Sequence, residues 1–330
     1  MKSLRFAGNS KIEVIDVPKP KPDPDQVLIK IKVSALCGSE MGAFYSPNGH
    51  AANPGHEFAG EIMDTNGHLE FQTGDRVGAH VVVGCGVCAH CQTGNHIFCP
   101  NMLGSGYAHA EYIALSARHC LRIPDSMDWD TGVLVAGDAM GVAYHLSRRV
   151  GVQSHDTVAV FGCGPVGLGV VMLWTFLGAR VIGVDPSPYR RDLAATLGAW
   201  ETVEAGKTNT IDRLRELTGG AGPDTCLECA GRPDALAVAL EAARKGGKVG
   251  VAGEQEEACF SPSRHLIHKE LSIFGAFYFR LSEFASMVEL CRRGLQPKRL
   301  ITHRFALEEA QKGYDLMAQQ KCGKVLFVQY

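Results

Sequence analysis

The stretch that decides the fold is Thr157-Val-Ala-Val-Phe161-Gly162-Cys-Gly164-Pro-Val-Gly167, followed by an apolar segment over 168–177 and by Val181-Ile-Gly-Val-Asp185. An apolar strand, a glycine-rich turn and an apolar helix in this order are typical of a βαβ unit. The glycines let the backbone approach a pyrophosphate at the helix N-terminus, and an acid ending the second strand accepts from ribose hydroxyls. The stretch predicts a Rossmann dinucleotide-binding domain; the alternative is a glycine-rich turn in an ordinary α/β domain.

The predicted cofactor site comprises the turn and the residues that follow the second strand. We expect the cofactor to be bound by Gly162, Gly164, Pro165, Val166, Gly167, Asp185 and Arg190. Asp185 would repel the 2′-phosphate of NADP, so the sequence favours NAD, although Arg190 and Arg191 lie close enough to weaken that preference. Alternating strand and helix patterns continue to residue 275, and the predicted Rossmann domain, a doubly wound parallel sheet, covers residues 140–276.

The residues on either side of this domain have a different pattern. Segments 12–17, 27–33 and 58–63 are strand-like and are separated by glycine- and proline-rich turns, which indicates a β-rich, partly open barrel. After residue 276 the pattern predicts a helix over 281–293, a strand over 300–305, a helix over 307–319 and a closing strand over 324–328. Residues 1–139 and 277–330 thus lie outside the predicted Rossmann domain, before and after it in the sequence.

Two short motifs in the β-rich region carry metal-ligand chemistry, Cys37-Gly-Ser39-Glu40 and Pro54-Gly-His56-Glu57. A thiolate and an imidazole are ligands that bind zinc and leave a position open for substrate. A buried free cysteine and a surface histidine are the alternative. Asp138 lies in an apolar, small-residue segment where an unpaired carboxylate is costly, so it is the candidate third ligand; a helix N-cap is its alternative role.

Four cysteines form the most specific metal signal in the chain, Cys85, Cys88, Cys91 and Cys99, within a lobe at 81–102. Four thiolates at this spacing can close a tetrahedron around a structural zinc. Unrelated thiols in one loop, or a nucleic-acid-binding zinc ribbon, are the alternatives. The lobe contains no Lys or Arg, which argues against nucleic acid. His90 and His96 lie nearby, and we expect both to be solvated.

Composition limits the class of protein. The chain has 330 residues, enough for two domains, and a net charge of -2 that gives no reason to expect nucleic acid or a membrane surface as partner. We find no apolar signal core and no run of about 20 apolar residues. Twelve cysteines with uneven spacing and a metal pattern favour a reducing compartment, the cytoplasm. Cys226 and Cys229 form a CxxC in an apolar strand and are expected to be buried thiols.

At this point the sequence resembles the zinc-dependent medium-chain dehydrogenase/reductase family over essentially its whole length. The resemblance rests on the two metal motifs, on Gly74-Asp-Arg-Val, on the four-cysteine lobe, on the glycine turn with Asp185 and on Ile301-Thr-His-Arg. It implies a GroES-like catalytic domain of residues 1–139 and 277–330, interrupted in sequence by a Rossmann domain, with a catalytic zinc in the cleft between them. It also implies two zinc ions per subunit, and we expect a homodimer or homotetramer.

The resemblance implies roles for the motif residues. Cys37, His56 and Asp138 match the catalytic zinc ligands, and a carboxylate as third ligand is typical of the polyol, threonine and secondary-alcohol branches. Zinc lowers the pKa of a bound hydroxyl, and a hydride passes to the nicotinamide. Ser39 is expected to receive the hydroxyl proton. We expect Glu40 to orient His56, and Glu57 to lie behind the metal.

One position departs from the family. Many members have a histidine five residues after the catalytic cysteine, which relays the substrate proton to solvent; here that residue is Gly42. We expect the proton to move to Ser39 and to leave through the ribose hydroxyl and water, with His50 as the only nearby substitute for the histidine.

The substrate is a small molecule whose identity the residues leave open. The candidate lining residues form a polar set that fits a polyol, a sugar-derived alcohol or an amino alcohol: Tyr45, Asn48, His50, His109 and Arg304. A non-catalytic zinc- and nucleotide-binding protein with a redox-sensing or structural role is the alternative. The alternative is opposed by the presence of Cys37, Ser39, His56 and Asp138, because a protein without catalysis has no need for an open zinc site.

Overall fold

The computed structural model describes residues 1–206 and 209–329. Its strands are β1 Lys2–Gly8, β2 Lys11–Asp16, β3 Gln26–Ala35, β4 Glu57–Asp64, β5 Arg76–Ala79, β6 Val82–Val83, β7 Leu103–Gly104, β8 Tyr112–Ser116, β9 Cys120–Arg122, β10 Thr157–Phe161, β11 Arg180–Asp185, β12 Glu201–Glu204, β13 Thr225–Glu228, β14 Lys248–Val251, β15 Ser272–Gly275, β16 Ile301–Ala306 and β17 Lys324–Val328. 

The α-helices of the described residues are α1 Met41–Tyr45, α2 Ala89–Gln92, α3 Trp129–Ala136, α4 Asp138–Val150, α5 Pro165–Phe176, α6 Pro188–Thr196, α7 Thr210–Leu217, α8 Pro233–Ala242, α9 Phe284–Arg292 and α10 Ala310–Ala318. Short 3₁₀ helices include Gly38–Glu40, His96–Phe98 and Ala117–His119. In the described part of the chain, no helix has the length and apolar character needed to cross a membrane.

The chain divides into two units. The first contains Met1–Gly141 together with Arg280–Tyr330, and the second contains Val142–Phe279. The segments at the two ends of the chain therefore belong to one unit, and the second unit is inserted between them.

The second unit is built on a six-stranded parallel sheet in the order β12-β11-β10-β13-β14-β15. All five residues of β10 are buried, because a parallel sheet in an α/β fold has both faces covered. The strand order and the crossover helices are those of a doubly wound Rossmann sheet. The predicted fold class of this region is confirmed.

The first unit is built on a seven-stranded sheet in the order β16-β17-β3-β4-β5-β9, with β8 also paired to β3. The ten-residue β3 is its longest strand and pairs antiparallel with β4, β8 and β17. The register Ala35↔Leu326 brings the last strand of the chain beside the end of β3. That end leads directly into the Cys37 motif, so residues from near the C-terminus lie beside the motif.

Most predicted elements are found within a few residues of their predicted bounds. The closing strand covers 324–328 as predicted, and the predicted strand over 12–17 is β2. The predicted helices over 281–293 and 307–319 each begin with one 3₁₀ turn before α9 and α10. Each 3₁₀ turn carries a capping-box glutamate, which satisfies a backbone amide that precedes the helix.

The glycine turn generates a stability prediction. A Cβ added at Gly167 would lie 1.8 Å from the carbonyl oxygen of Gly162, so the backbone of the turn would have to move. We expect Gly167→Ala to lower the free energy of unfolding by about 1–3 kcal/mol. The matched control is Gly275→Ala in β15 of the same unit, where a Cβ meets nothing within 4 Å. Chemical denaturation that shows equal stability for the two variants would contradict the close approach.

Candidate active site and metal centres

The Cys37 motif is a tight turn at the end of β3. Cys37 has an extended conformation and precedes the 3₁₀ helix Gly38–Glu40. Its side chain is buried, and its Sγ lies 3.7 Å from Oδ2 of Asp138. Ser39, two residues on, is exposed. The turn therefore places a thiol in the interior and a hydroxyl at the surface of the same short segment.

The His56 motif lies one residue before β4 and faces Cys37. Nδ1 of His56 lies 2.9 Å from the carbonyl oxygen of Pro54, and Nε2 lies 3.2 Å from Oδ2 of Asp138. A carbonyl can only accept, so Nδ1 carries a hydrogen and the lone pair of the neutral ring is on Nε2. Histidines that bind metals are oriented in this way by a hydrogen bond from their other nitrogen.

Asp138 is the first residue of α4 and is buried. One ligand atom from each of Cys37, His56, Glu57 and Asp138 lies within 4.8 Å of all the others. Asp138 and Cys37 raise the pKa of His56, and His56 lowers the pKa of Asp138, each against the effect of burial. A metal at Nε2 would take the place of the proton that the charged form of His56 carries there. The structure thus brings the three predicted ligands together and adds Glu57 to the group.

The donor set fits a zinc ion. A thiolate, an imidazole with its lone pair directed inward, and a carboxylate are the ligand types of catalytic zinc sites, and three protein ligands leave a fourth position open. Among the described residues, Oε2 of Glu57 is buried without a hydrogen-bond partner, so this carboxylate oxygen is not used by another protein group. A Cβ at Gly137 would lie 2.4 Å from that oxygen, so glycine is needed where α3 ends. The residues are therefore compatible with a divalent cation.

Glu57 forms a buried ion pair that sequence reasoning missed. Its Oε1 accepts from Nζ of Lys324 at 2.5 Å, and both side chains are 1% exposed. Burial raises the pKa of Glu57 and Lys324 opposes that rise, whereas Glu57 raises the pKa of Lys324 against the effect of burial. The only feature of the sequence that indicates this ion pair is Lys324 at the start of an apolar strand, where a buried charge needs an oppositely charged partner.

The side chain of Glu40 has other hydrogen-bond partners than we predicted. We predicted that it orients His56, but Nδ1 of His56 is bonded to the carbonyl of its own turn. Glu40 is instead buried, with Oε1 accepting from the amide of Cys37 and Oε2 accepting from His109 and from Tyr314. The prediction was wrong because the glutamate side chain folds back onto its own 3₁₀ turn, where it caps the amide of Cys37.

The four cysteines of the lobe converge around α2. Their sulfurs lie within 4.8 Å of one another, and Sγ of Cys88 is 3.8 Å from Sγ of Cys99. Amide hydrogens of Val87 and Cys88 lower the pKa of Cys85 to about 6, which favours its thiolate. A Cβ at Gly84 would lie 2.6 Å from Sγ of Cys91. This arrangement fits a structural zinc with four sulfur ligands.

A further group of three histidines, His80, His96 and His119, is buried beside the lobe and also has nitrogens within 4.8 Å. His96 is therefore not solvated as predicted, because its ring packs edge-on against the other two; His90 is exposed. The amide of Val82 donates to Nδ1 of His80, and the amide of Gly84 donates to Nε2 of His119.

Those two amide contacts argue against a metal at the histidine group. A nitrogen that accepts an amide hydrogen has used the lone pair that a metal would need, and a metal-bound histidine normally donates from its other nitrogen. Burial lowers the pKa of His119 to about 4, so this ring is neutral at ordinary pH. We therefore assign the rings of His80 and His119 to packing, whereas neither nitrogen of the buried His96 has a hydrogen-bond partner among the described residues.

The glycine turn of the second unit presents backbone amides at the start of α5. Gly162 has φ +91°, Gly164 is the N-cap and Pro165 is the first helical residue, followed by Val166. The N-terminus of a helix binds phosphate through its free amides. 

Asp185 ends β11 beside that turn. Its Oδ2 accepts from the amide of Cys163 at 2.7 Å, and its Oδ1 accepts from the amide of Ser187 at 2.8 Å. These bonds fix the carboxylate at the carboxyl edge of the sheet. Arg190, on α6, reaches the turn, since a Cβ at Gly164 would be 3.9 Å from one of its guanidinium nitrogens.

The predicted substrate residues differ in their placement. His109 is fully buried, with Nδ1 2.8 Å from Oγ of Ser34 and Nε2 on Glu40, so it cannot line an open site and the prediction was wrong. Arg304 is ion-paired with Asp130. Three others are exposed: Tyr45, Asn48 and His50.

Comparisons with known proteins agree with this geometry. Residues 23–125 match the family model of the alcohol dehydrogenase GroES-like domain, and residues 165–293 match that of the zinc-binding dehydrogenase. The chain is 34% identical to the uncharacterized zinc-type alcohol dehydrogenase-like protein YphC of Escherichia coli, over 97% of this chain and 96% of that protein. It is 33% identical to L-threonine 3-dehydrogenase of Alteromonas mediterranea, over 99% of both.

A solved structure of an alcohol dehydrogenase has the same fold as this chain. The alcohol dehydrogenase TADH from Thermus sp. ATN1 superposes with a TM-score of 0.93 at 28% identity and covers 100% of both chains. The chain therefore belongs to the zinc-dependent medium-chain dehydrogenase/reductase family. It is a zinc-dependent alcohol oxidoreductase that uses a nicotinamide cofactor and acts on a small molecule. The non-catalytic alternative is not favoured.

The buried ion pair generates a prediction. Lys324→Met leaves the carboxylate of Glu57 buried without its cation, and we expect a loss of about 3–5 kcal/mol in the free energy of unfolding. The control is Lys312→Met, which removes a lysine from an exposed i,i+3 pair and should change stability by less than about 1 kcal/mol. Urea denaturation tests both. The double variant Glu57→Gln/Lys324→Met should recover part of the loss, and no recovery would contradict an energetic coupling of the pair.

Proposed function

We propose that this enzyme oxidises a secondary alcohol, of the polyol, sugar-derived alcohol or amino alcohol class, with NAD as hydride acceptor. The observation that carries the proposal is the convergence of Cys37, His56 and Asp138, a set whose third member is a carboxylate. Zinc bound there would lower the pKa of a bound hydroxyl to about 7. The similarity to L-threonine 3-dehydrogenase supports an amino alcohol such as threonine within this class.

We assign the two metal groups separate roles. The group of Cys37, His56 and Asp138 holds the catalytic zinc and leaves a position open, whereas the four thiolates of the 81–102 lobe hold a second, structural zinc. Residues 1–139 and 277–330 form the catalytic domain in this proposal, and residues 140–276 form the NAD-binding domain.

Two side chains beside the catalytic ligands have proposed roles. Ser39 receives the proton of the substrate hydroxyl and passes it to water; its exposure two residues from Cys37 supports this role. Glu57 supplies a buried carboxylate next to the three ligands, and Lys324 holds its other oxygen. Glu57 thereby adjusts the charge around the metal without being one of the three ligands.

The cofactor is proposed to be NAD. The turn Gly162, Gly164, Pro165, Val166 and Gly167 would hold the pyrophosphate, and Asp185 would accept from the ribose hydroxyls. Because backbone amides hold the Asp185 carboxylate in place, it cannot swing away from a 2′-phosphate. Like charges about 4 Å apart repel by about 4 kcal/mol at an effective dielectric constant of about 20. Arg190 would offset part of this.

We further propose a homodimer or homotetramer located in the cytoplasm. Large apolar side chains of the lobe are exposed, including Val87 at 74% and Phe98 at 52%, which fits a surface covered by a partner. No disulfide joins any of the twelve cysteines, all of which lie in the described part of the chain, and this supports a reducing compartment.

A substrate panel tests the reaction. Polyols, amino alcohols and simple primary alcohols are assayed for reduction of NAD and of NADP by the purified enzyme. We expect NADH formation with the first two classes and a higher kcat/KM with NAD than with NADP, because Asp185 repels the phosphate. Asp185→Gly should reduce the preference for NAD. Activity confined to primary alcohols, or equal kcat/KM with both cofactors, would contradict the proposal.

Metal analysis of variants tests the two-zinc assignment. Asp138→Asn should abolish turnover and leave the fold and the lobe zinc in place, since it changes a ligand of the open site alone. Cys91→Ser should mainly lower stability or assembly. Asp125→Asn, which changes an exposed carboxylate, is the control and should behave as wild type. One zinc per chain in the intact purified wild-type protein would contradict two sites.

Variants of the proposed proton acceptor test the route to solvent. Ser39→Ala should slow hydride transfer about 10²–10⁴-fold at neutral pH, with partial recovery at high pH where hydroxide removes the proton directly. His50→Gln should have little effect, because His50 is exposed and its Nδ1 is bonded to the carbonyl of Ala52. The measurement is a pH profile of single-turnover rates. A hundredfold loss in His50→Gln would show that His50 is the relay.

A further inference from the structure

The Glu40 carboxylate is buried and satisfied entirely by protein groups. It is 1% exposed, and its Oε1 accepts from the amide of Cys37 at 2.9 Å. Its Oε2 accepts from Nε2 of His109 at 2.9 Å and from the hydroxyl of Tyr314 at 2.5 Å. Both carboxylate oxygens are therefore held by protein groups, and the carboxylate lies one hydrogen bond away from the proposed zinc ligand Cys37.

His109 is held in one orientation and reaches the turns of both motifs. Because Nε2 donates to Glu40, Nδ1 accepts from the hydroxyl of Ser34, 2.8 Å away. A Cβ at Gly55 would lie 2.3 Å from Cδ2 of the ring, so His109 packs directly on the backbone that precedes His56. The ring thus lies between the turn that carries Cys37 and the turn that carries His56.

Tyr314 links the same carboxylate to α10. Its ring is fully buried, stacks on Phe44 with centroids 5.4 Å apart, and meets Phe6 edge-on at 5.3 Å. The aromatic contacts fix the ring, so the hydroxyl has a fixed position from which it donates to Glu40. Helix α10 therefore restrains the turn that carries Cys37: Tyr314 donates to the carboxylate of Glu40, which also accepts from the amide of Cys37.

We propose that His109 and Tyr314 are positioning residues for the Cys37 thiolate and that they act through Glu40. The proposal rests on the proposed function, in which Cys37 is a ligand of the catalytic zinc. Fixing the amide of Cys37 fixes the Cα–Cβ direction of that residue, and hence the point from which Sγ reaches the metal. Partners that orient a metal ligand in this way typically affect metal affinity about 10–100-fold.

Zinc release tests the proposal with the intact, zinc-loaded enzyme. The release of zinc to a chromophoric chelator is followed over time. The kinetic phase that the Asp138→Asn variant lacks is assigned to zinc bound at the Cys37 site. Glu40→Ala should accelerate this phase about 10–100-fold. Tyr314→Phe, which removes only the hydroxyl and keeps the ring stacked, should accelerate the same phase to a smaller degree. The control Tyr112→Phe removes a hydroxyl elsewhere in the same unit and should release zinc as wild type does.

A conservative variant and the second zinc separate positioning from general stability. Glu40→Gln keeps an oxygen for the Cys37 amide and should fall between wild type and Glu40→Ala. The phase of the four-thiolate site should not change in any of these variants. Equal acceleration of both phases, or wild-type release in both Tyr314→Phe and Glu40→Ala, would overturn the positioning role. A wild-type protein that shows no zinc at the Cys37 site would instead overturn the proposed function itself.

Discussion

Charge compensation in one buried group is the constraint on which the first unit depends. As the proposed zinc ligands, Cys37 and Asp138 would carry two negative charges, and Glu57 adds a third that Lys324 neutralises. Removing several charges from water costs several kcal/mol each unless they are paired. A divalent cation balances the remaining two charges, so the group is formally neutral when zinc is bound. Lys324 thus provides one positive charge, and a bound zinc ion would provide the other two.

This requirement explains why the two ends of the chain form one unit. The ligands come from the end of β3, the residue before β4 and the start of α4, which span about a hundred residues. The neutralising lysine starts β17, and Tyr314 on α10 restrains Glu40. The site is therefore complete only when the C-terminal strand has paired with β3. Zinc binding at the proposed site would therefore be energetically linked to the closing of this sheet.

Local patterns predicted the residue types at the site better than their partners. Cys37, His56 and Asp138 could be proposed because each is a metal-binding type next to glycine or in an apolar segment, and the structure brings them together. The glycine turn was predictable because strand, turn and helix are consecutive in sequence. In contrast, Lys324 and Tyr314 reach the site through pairings more than 260 residues apart in sequence, which no local pattern reports. His109 and His96 were misplaced because a histidine in a loop gives no signal of burial.

The most direct test of the account is an anomalous-difference map from crystals of the wild-type enzyme, collected on both sides of the zinc absorption edge. We expect one peak among Sγ of Cys37, Nε2 of His56 and the carboxylate of Asp138, with metal–ligand distances of about 2.0–2.3 Å. A second peak should lie among the four sulfurs of the lobe. A map with a peak at the lobe and none at the Cys37 group, from crystals grown in the presence of zinc, would contradict the central claim that these buried charges are balanced by a metal.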